Sequence, residues 1–383
     1  MNPRERLLAA LNHKEPDRVP LDLASTQVTG ISVTAYQKLR EYLGLPPAEP
    51  TICDVIQQIC IPDDDVMEQF GVDTRGLWPI SNHNYDFQDK DDGTYLSHID
   101  DWGLGYRFSK TNGLWYDLYH SPMQGKTLSM ELIEEHSWPD TGRSDRITGL
   151  REQAIQYREE GYPVVLKSIC AGLLEMAIRL RGMEDCLIDL LADEQNAGRL
   201  LDQVLEMKLD YWETALSELH DVVDVVAEGD DFGTQTSQLI SRDTFRKVIK
   251  PRQEKLIAFL KQKAPSALVF FHSCGSVRDL LPDFIEMGID ILNPVHITAT
   301  GMEPVQLKKD FGSDITFWGG GVDTQDTLPH GTPDQVREEV KRNIEALAPG
   351  GGYVFNTVHN IQADVPPANI VAMYETLQEY GKY

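Results

Sequence analysis

An imidazole and a thiol stand two residues apart in His272-Ser273-Cys274, directly after the apolar run Ala267-Leu268-Val269-Phe270-Phe271. Side chains at i and i+2 of extended chain share a face, so both groups can aim at one small volume. Both are good ligands for a borderline-soft ion such as zinc. A histidine by itself is more often a hydrogen bonder, and a cysteine a small apolar filler. The placement of the pair past a strand end is what favours a shared metal. His359, far along the chain, is the candidate third ligand. Three protein ligands leave one position open, as catalytic zinc requires. Glu228, at the end of another apolar run, is a candidate fourth ligand or general acid/base, and Asp230 beside it a second catalytic carboxylate.

These residues need elements that bring them together. Short apolar runs at Val19–Leu23, near Leu77, at Pro163–Leu166, Val222–Val226, Ala267–Phe271, Ile289–Leu292, Ile315–Trp318 and Tyr353–Phe355 read as buried strands. Helical stretches separate most of them, which signals a parallel sheet covered by helices. About eight such strands predict an α/β fold, a TIM (β/α)8 barrel. In that architecture the chemistry lies on the loops after the strands. Those positions hold Ser25-Thr26-Gln27, Lys167-Ser168, Glu228 to Gly233, His272 and Cys274, Asn293-Pro294, Gly319 to Asp323, and Asn356 with His359. Asn293, Trp318, Asp323 and Tyr353, at or beside the later strands, are candidates for contacting substrate. Gly319-Gly320-Gly321 lacks the lysine and hydroxyl of a phosphate loop and predicts only a close backbone approach.

The whole chain, 1–383, is expected to form one barrel domain with an N-terminal helical extension starting at Pro3. Residues 82–123 differ in character. Aromatic residues sit there among glycine and aspartate, with turn signals at Asp92-Gly93 and Asn112-Gly113, which predicts antiparallel ribbons folded over one end of the barrel.

A net charge of −26, from 35 basic and 61 acidic side chains, argues against nucleic acid and anionic membranes as partners. Five cysteines without a dense framework, no leader and no long apolar run predict a reducing, cytoplasmic setting.

Several stretches resemble the uroporphyrinogen decarboxylase superfamily: Arg4 to Leu11 with Glu15 to Pro20, His272 to Ser276, Asn293-Pro294-Val295, Phe317 to Asp323, and Pro349 to Tyr353. The resemblance runs along nearly the whole chain and implies one TIM barrel. True uroporphyrinogen decarboxylases carry an arginine-bearing motif near the first strand for the substrate's carboxylates. Leu21 to Gln27 has no arginine, which speaks against that reaction. The other branch, zinc methyltransferases of corrinoid systems, uses a His-x-Cys pair and a later cysteine. His272 and Cys274 match the pair, and His359 stands where the later cysteine would be. A harder His/Cys/His set suits an oxygen-bearing substrate. The stretches Asp230 to Gln235 and His359 to Gln362 resemble the methyl-ether subgroup.

The resemblance therefore implies a Zn2+-dependent methyltransferase. Its methyl donor would be a small, methoxylated aromatic molecule. The acceptor would be Co(I) of a corrinoid on a separate partner protein. A homodimer is also in keeping with the family. The alternative is a metal-independent decarboxylase of a small carboxylated substrate, with Asp230 or Asp231 stabilising a protonated intermediate.

Overall fold

The computed structural model describes residues 1–80 and 89–383. Strands β1 (Ile31–Ser32), β2 (Thr51–Asp54) and β3 (Ile59–Ile61) form a small antiparallel sheet. After β4 (Arg75–Leu77), strands β5 (Lys90–Asp91), β6 (Tyr95–Ile99), β7 (Gly105–Ser109) and β8 (Asp117–His120) form an antiparallel ribbon. The main sheet continues with β9 (Val164–Lys167), β10 (Val225–Gly229), β11 (Leu268–His272), β12 (Ile291–Asn293), β13 (Thr316–Trp318) and β14 (Tyr353–Val354). Its seven parallel strands run in the order β14-β13-β12-β11-β10-β9-β4.

The curl of this sheet is closed by the segment around Leu21. Leu21 forms a parallel bridge with Phe355, beyond β14. On the other side its carbonyl accepts the Asp73 N–H at 2.8 Å, just before β4. The predicted strand Val19–Leu23 is thus a single bridged residue rather than a ladder. Pro20, which has no N–H, still accepts from Phe355 through its carbonyl. The result is a TIM-like barrel with seven regular strands and one irregular one.

Strict alternation sorts the sheet residues into two layers. Val165, Val225, Ala227, Phe270, Ile291, Trp318 and Val354 pack together inside the barrel. Val164, Leu166, Val226, Val269, Phe271, Leu292, Phe317 and Tyr353 pack outward, with residues of the covering helices. The helix Pro3–Leu11 opens on an Asn2–Glu5 capping box and sends Leu7 and Leu11 into the inner cluster. It closes the end of the barrel opposite the strand C-termini.

The predicted strand Val222–Val226 is shifted to Val225–Gly229, so Glu228 lies within a strand. The antiparallel ribbon β5–β8 turns around Asp92-Gly93 and Asn112-Gly113. The stretch from Asn82 to Gln88, also assigned to it, lies outside the described residues. Among the described residues no helix is long and apolar enough to cross a membrane.

Candidate metal centre

His272 is the last residue of β11 and inward-facing, in phase with Leu268 and Phe270. The next residues turn sharply. Ser273 N–H reaches the Asn293 carbonyl at 2.6 Å, and Cys274 N–H reaches Asp231 Oδ1 at 2.8 Å. Gly275 then takes φ 86°, and a Cβ there would lie 2.4 Å from the Gly233 carbonyl carbon, so only glycine fits. These contacts place Cys274 Sγ 3.5 Å from His272 Nε2.

His359 comes from the loop after β14. Asn356 and Asn360 bracket it and pin the loop to the N-terminal segment. Asn356 Nδ2 donates to the carbonyls of Asp22 and Thr29, and Asn360 Nδ2 to that of Gln27, while Asn360 Oδ1 accepts Gly30 N–H. The His359 ring lies edge-on to that of His272, centroids 5.4 Å apart. One ligand atom from each of His272, Cys274 and His359 lies within 4.8 Å of the other two. Three distant points of the chain thus converge on one small volume.

The surroundings suit a cation. Asn293 Oδ1 lies 2.6 Å from His272 Nδ1. Asn293 Nδ2 donates to the Trp318 carbonyl at 2.9 Å, which fixes the amide's orientation. An amide oxygen only accepts, so Nδ1 of His272 carries the proton and Nε2 presents its lone pair to the cluster. Burial, then the neighbouring His272 and His296, lower the His359 imidazole to about 3, so it is neutral at ordinary pH. Burial, followed by the Asp231 and Glu175 carboxylates, pushes the Cys274 thiol well up. A thiol so placed becomes a thiolate when a cation joins it. Asp231 Oδ1 lies 3.6 Å from His272 Nε2, and burial, followed by the Glu175 charge, raises its carboxyl above the usual carboxylate range. Two imidazoles and a thiol beside a carboxyl group fit Zn2+.

The other predicted site residues are placed differently. Glu228 shares the outward phase of Val226. Its oxygens accept from Lys208 Nζ at 2.8 Å and Trp212 Nε1 at 2.5 Å, both on the helix Glu194–Leu219. It is held by that helix rather than aimed at the cluster. Asp230 is turned away as well. Its oxygens accept the N–H groups of Leu174 and Glu175 at the start of the helix Leu173–Arg181, and the Gln253 amide. A carboxylate at a helix N-terminus is a structural anchor.

None of the four predicted substrate contacts borders the cavity described below. Asn293 is inward but committed to His272. Trp318 is fully buried, its indole N–H on Asp22 Oδ2 at 2.9 Å. Asp323 accepts the N–H groups of Gln325 and Asp326. Tyr353 lies in the outer layer, sealed under the helices.

A cavity of about 270 Å³ opens beside His272 and His359. Its floor is inward-facing barrel, Lys167, Ala227 and Phe270, with Val28 of the N-terminal segment beside them. Its rim comes from the β2–β3 hairpin and from Trp102, Leu104 and Tyr106 of the ribbon. Trp115 and Tyr119 of the same ribbon are solvent-exposed instead. Of the residues that line the cavity, Glu175 and Arg179 were not among the predicted ones, Lys167 was named only as a residue after a strand, and Asp231 only for the alternative decarboxylase. Strand phase alone singles out Lys167, two residues after the inward Val165. The other three come from loop and helix geometry with no periodic signal.

Residues 123–380 match the uroporphyrinogen decarboxylase (URO-D) family model. The chain belongs to the uroporphyrinogen decarboxylase family. Among curated relatives, a methylated-thiol–coenzyme M methyltransferase of Methanosarcina mazei is 23% identical over 241 residues, 61% of each chain. A uroporphyrinogen decarboxylase of Chlorobium phaeobacteroides is 25% identical over 145 residues, 37% of this chain and 38% of that one. Both alignments cover less than two thirds of the relative. A solved methyltransferase from Methanosarcina mazei superposes over 99% of both chains, with TM-score 0.62 and 20% identity, which establishes the shared fold.

Proposed function

We propose that this family member is a zinc-dependent methyltransferase. It would take a methyl group from a small methoxylated aromatic molecule and deliver it to the Co(I) centre of a corrinoid on a separate protein. The observation that carries the reading is the convergence of His272, Cys274 and His359 at the mouth of a barrel cavity. The similarity to a methyltransferase of the same family supports it.

His272, Cys274 and His359 would hold the zinc. A zinc ion there supplies a Lewis acid that stabilises negative charge on an oxygen losing its methyl group. The chain's own residues do the rest. Asn293 keeps the His272 lone pair directed into the site. Asp231 holds the Cys274 backbone N–H and so fixes the thiol. Phe270, Trp102 and Tyr106 give the cavity aromatic faces for a ring. A cavity of about 150 Å³ can hold benzene. The larger space here accommodates one substituted ring. The barrel mouth leaves the methyl group open to a docking partner.

Purified protein is expected to carry about one zinc per chain by elemental analysis. His272→Ala and Cys274→Ser should lose the metal together with methyl transfer to a reduced corrinoid protein. Full transfer by a metal-free preparation would sink this mechanism.

A further inference from the structure

The two imidazoles of the cluster are held in different ways. Asn293 fixes the His272 ring directly. The His359 ring takes no hydrogen bond among the described residues, while its carbonyl accepts from Thr357 Oγ1. The position of that ring is therefore set by the loop that carries it.

Asn360, the next residue, fastens the loop. Its Oδ1 accepts Gly30 N–H at 2.7 Å, and its Nδ2 donates to the Gln27 carbonyl at 2.8 Å and to Gln57 Oε1 at 3.0 Å. Gly30 and Gln27 belong to the N-terminal segment. Gln57 comes from elsewhere, the turn between β2 and β3 on the cavity rim.

The hairpin presents Gln57 in one orientation. Its backbone N–H binds Asp54 Oδ1 at 2.8 Å, which sets the turn. Its Nε2 faces two acceptors, Asp54 Oδ2 at 3.2 Å and the Gln27 carbonyl at 3.4 Å. With the amide nitrogen turned to acceptors, Oε1 meets the Asn360 donor. The hairpin is tied to the ribbon in turn, through Tyr116 N–H on the Ile56 carbonyl at 2.8 Å. Val55, Ile56 and Gln57 line the cavity, as do Gln27 and His359. The rim and the third candidate ligand thus form one hydrogen-bonded unit, although Gln57 and Asn360 stand 303 residues apart.

We propose that Gln57 is a positioning residue for the metal centre. Through Asn360 it fixes the loop of His359, and so couples the shape of the cavity rim to the geometry of the third ligand. This rests on the metal-centre reading of His272, Cys274 and His359.

The test uses full-length protein and two measurements that need no turnover. One is zinc affinity by competition with a chelator. The other is the visible absorption of the cobalt(II)-substituted protein, which reports ligand geometry. Gln57→Leu removes the acceptor for Asn360 Nδ2. It should weaken zinc binding about threefold to tenfold, the worth of a neutral hydrogen bond, and shift the cobalt spectrum. Asn360→Ala should weaken binding further, and adding Gln57→Leu to it should cost nothing more, because the bond is already gone. A lower melting temperature with native zinc affinity and a native cobalt spectrum would make Gln57 a structural residue of the hairpin and overturn the assignment. Equal losses from Gln57→Leu in the native and Asn360→Ala backgrounds would overturn it too. If Asn360→Ala fails to fold, the single Gln57→Leu comparison still decides. Native protein that binds neither ion would overturn the metal-centre reading together with this one. Native binding that Gln57→Leu leaves unchanged would overturn this one alone.

Discussion

His272 depends on one neighbour more than on any other. Asn293 fixes which ring nitrogen carries the proton, and the Trp318 carbonyl fixes Asn293 in turn. Asn293 was expected to touch substrate; its amide oxygen lies on the His272 ring. That difference has a measurable consequence. Asn293→Ala should lower zinc affinity by about tenfold to a hundredfold, read by competition with a chelator, because the ring loses its tautomer and orientation. A variant that binds zinc as tightly as the native protein would show that the ring is held by other contacts.

At the scale of strands and turns, much was legible and the remainder has physical reasons. Type and order of the seven regular barrel strands follow from apolar runs, because both faces of a parallel strand are buried. For the same reason those runs hide the phase. Val225-Val226-Ala227 gives no alternation to show which side Glu228 takes, and only the pairing with β9 and β11 reveals it. His272 and Cys274 were visible because the turn after β11 is local. His359 was visible as a residue type after the last strand, but its approach to His272 depends on the side-chain bonds of Asn356 and Asn360 across more than 300 residues. The β11 turn can itself be tested. Gly275→Ala puts a Cβ into the Gly233 backbone at a positive φ, and should cost about 1–3 kcal/mol. Since Gly275 follows Cys274, the variant should also bind zinc less tightly. A melting temperature and a zinc content equal to those of the native protein would show that the turn can relax without moving the thiol.

At the scale of the molecule, the cavity needs a closed barrel, and closure was the part least visible in the chain. Its eighth stave is one bridged residue, so ladder hydrogen bonds alone hold it weakly. Side chains supply the remainder. The Asp73 carboxylate, 1% exposed, accepts Leu21 N–H at 2.8 Å, Arg6 Nη1 at 2.7 Å and Arg18 Nη1 at 2.7 Å. One buried carboxylate thus ties the N-terminal helix, the irregular stave and the start of β4. No period or run in the sequence announces this, because Arg6, Arg18 and Asp73 are single polar residues well separated along the chain. Breaking a buried ion pair from one side is expensive, since the partner charges stay behind. Asp73→Ala should therefore destabilise the protein by about 3–5 kcal/mol, seen as a lower denaturation midpoint, whereas Arg18→Ala should cost less because its side chain is 28% exposed. Asp73→Asn keeps an acceptor for Leu21 N–H but not the charge, and should fall between the two. If Asp73→Ala unfolds at the native midpoint, the irregular stave is held by backbone contacts alone.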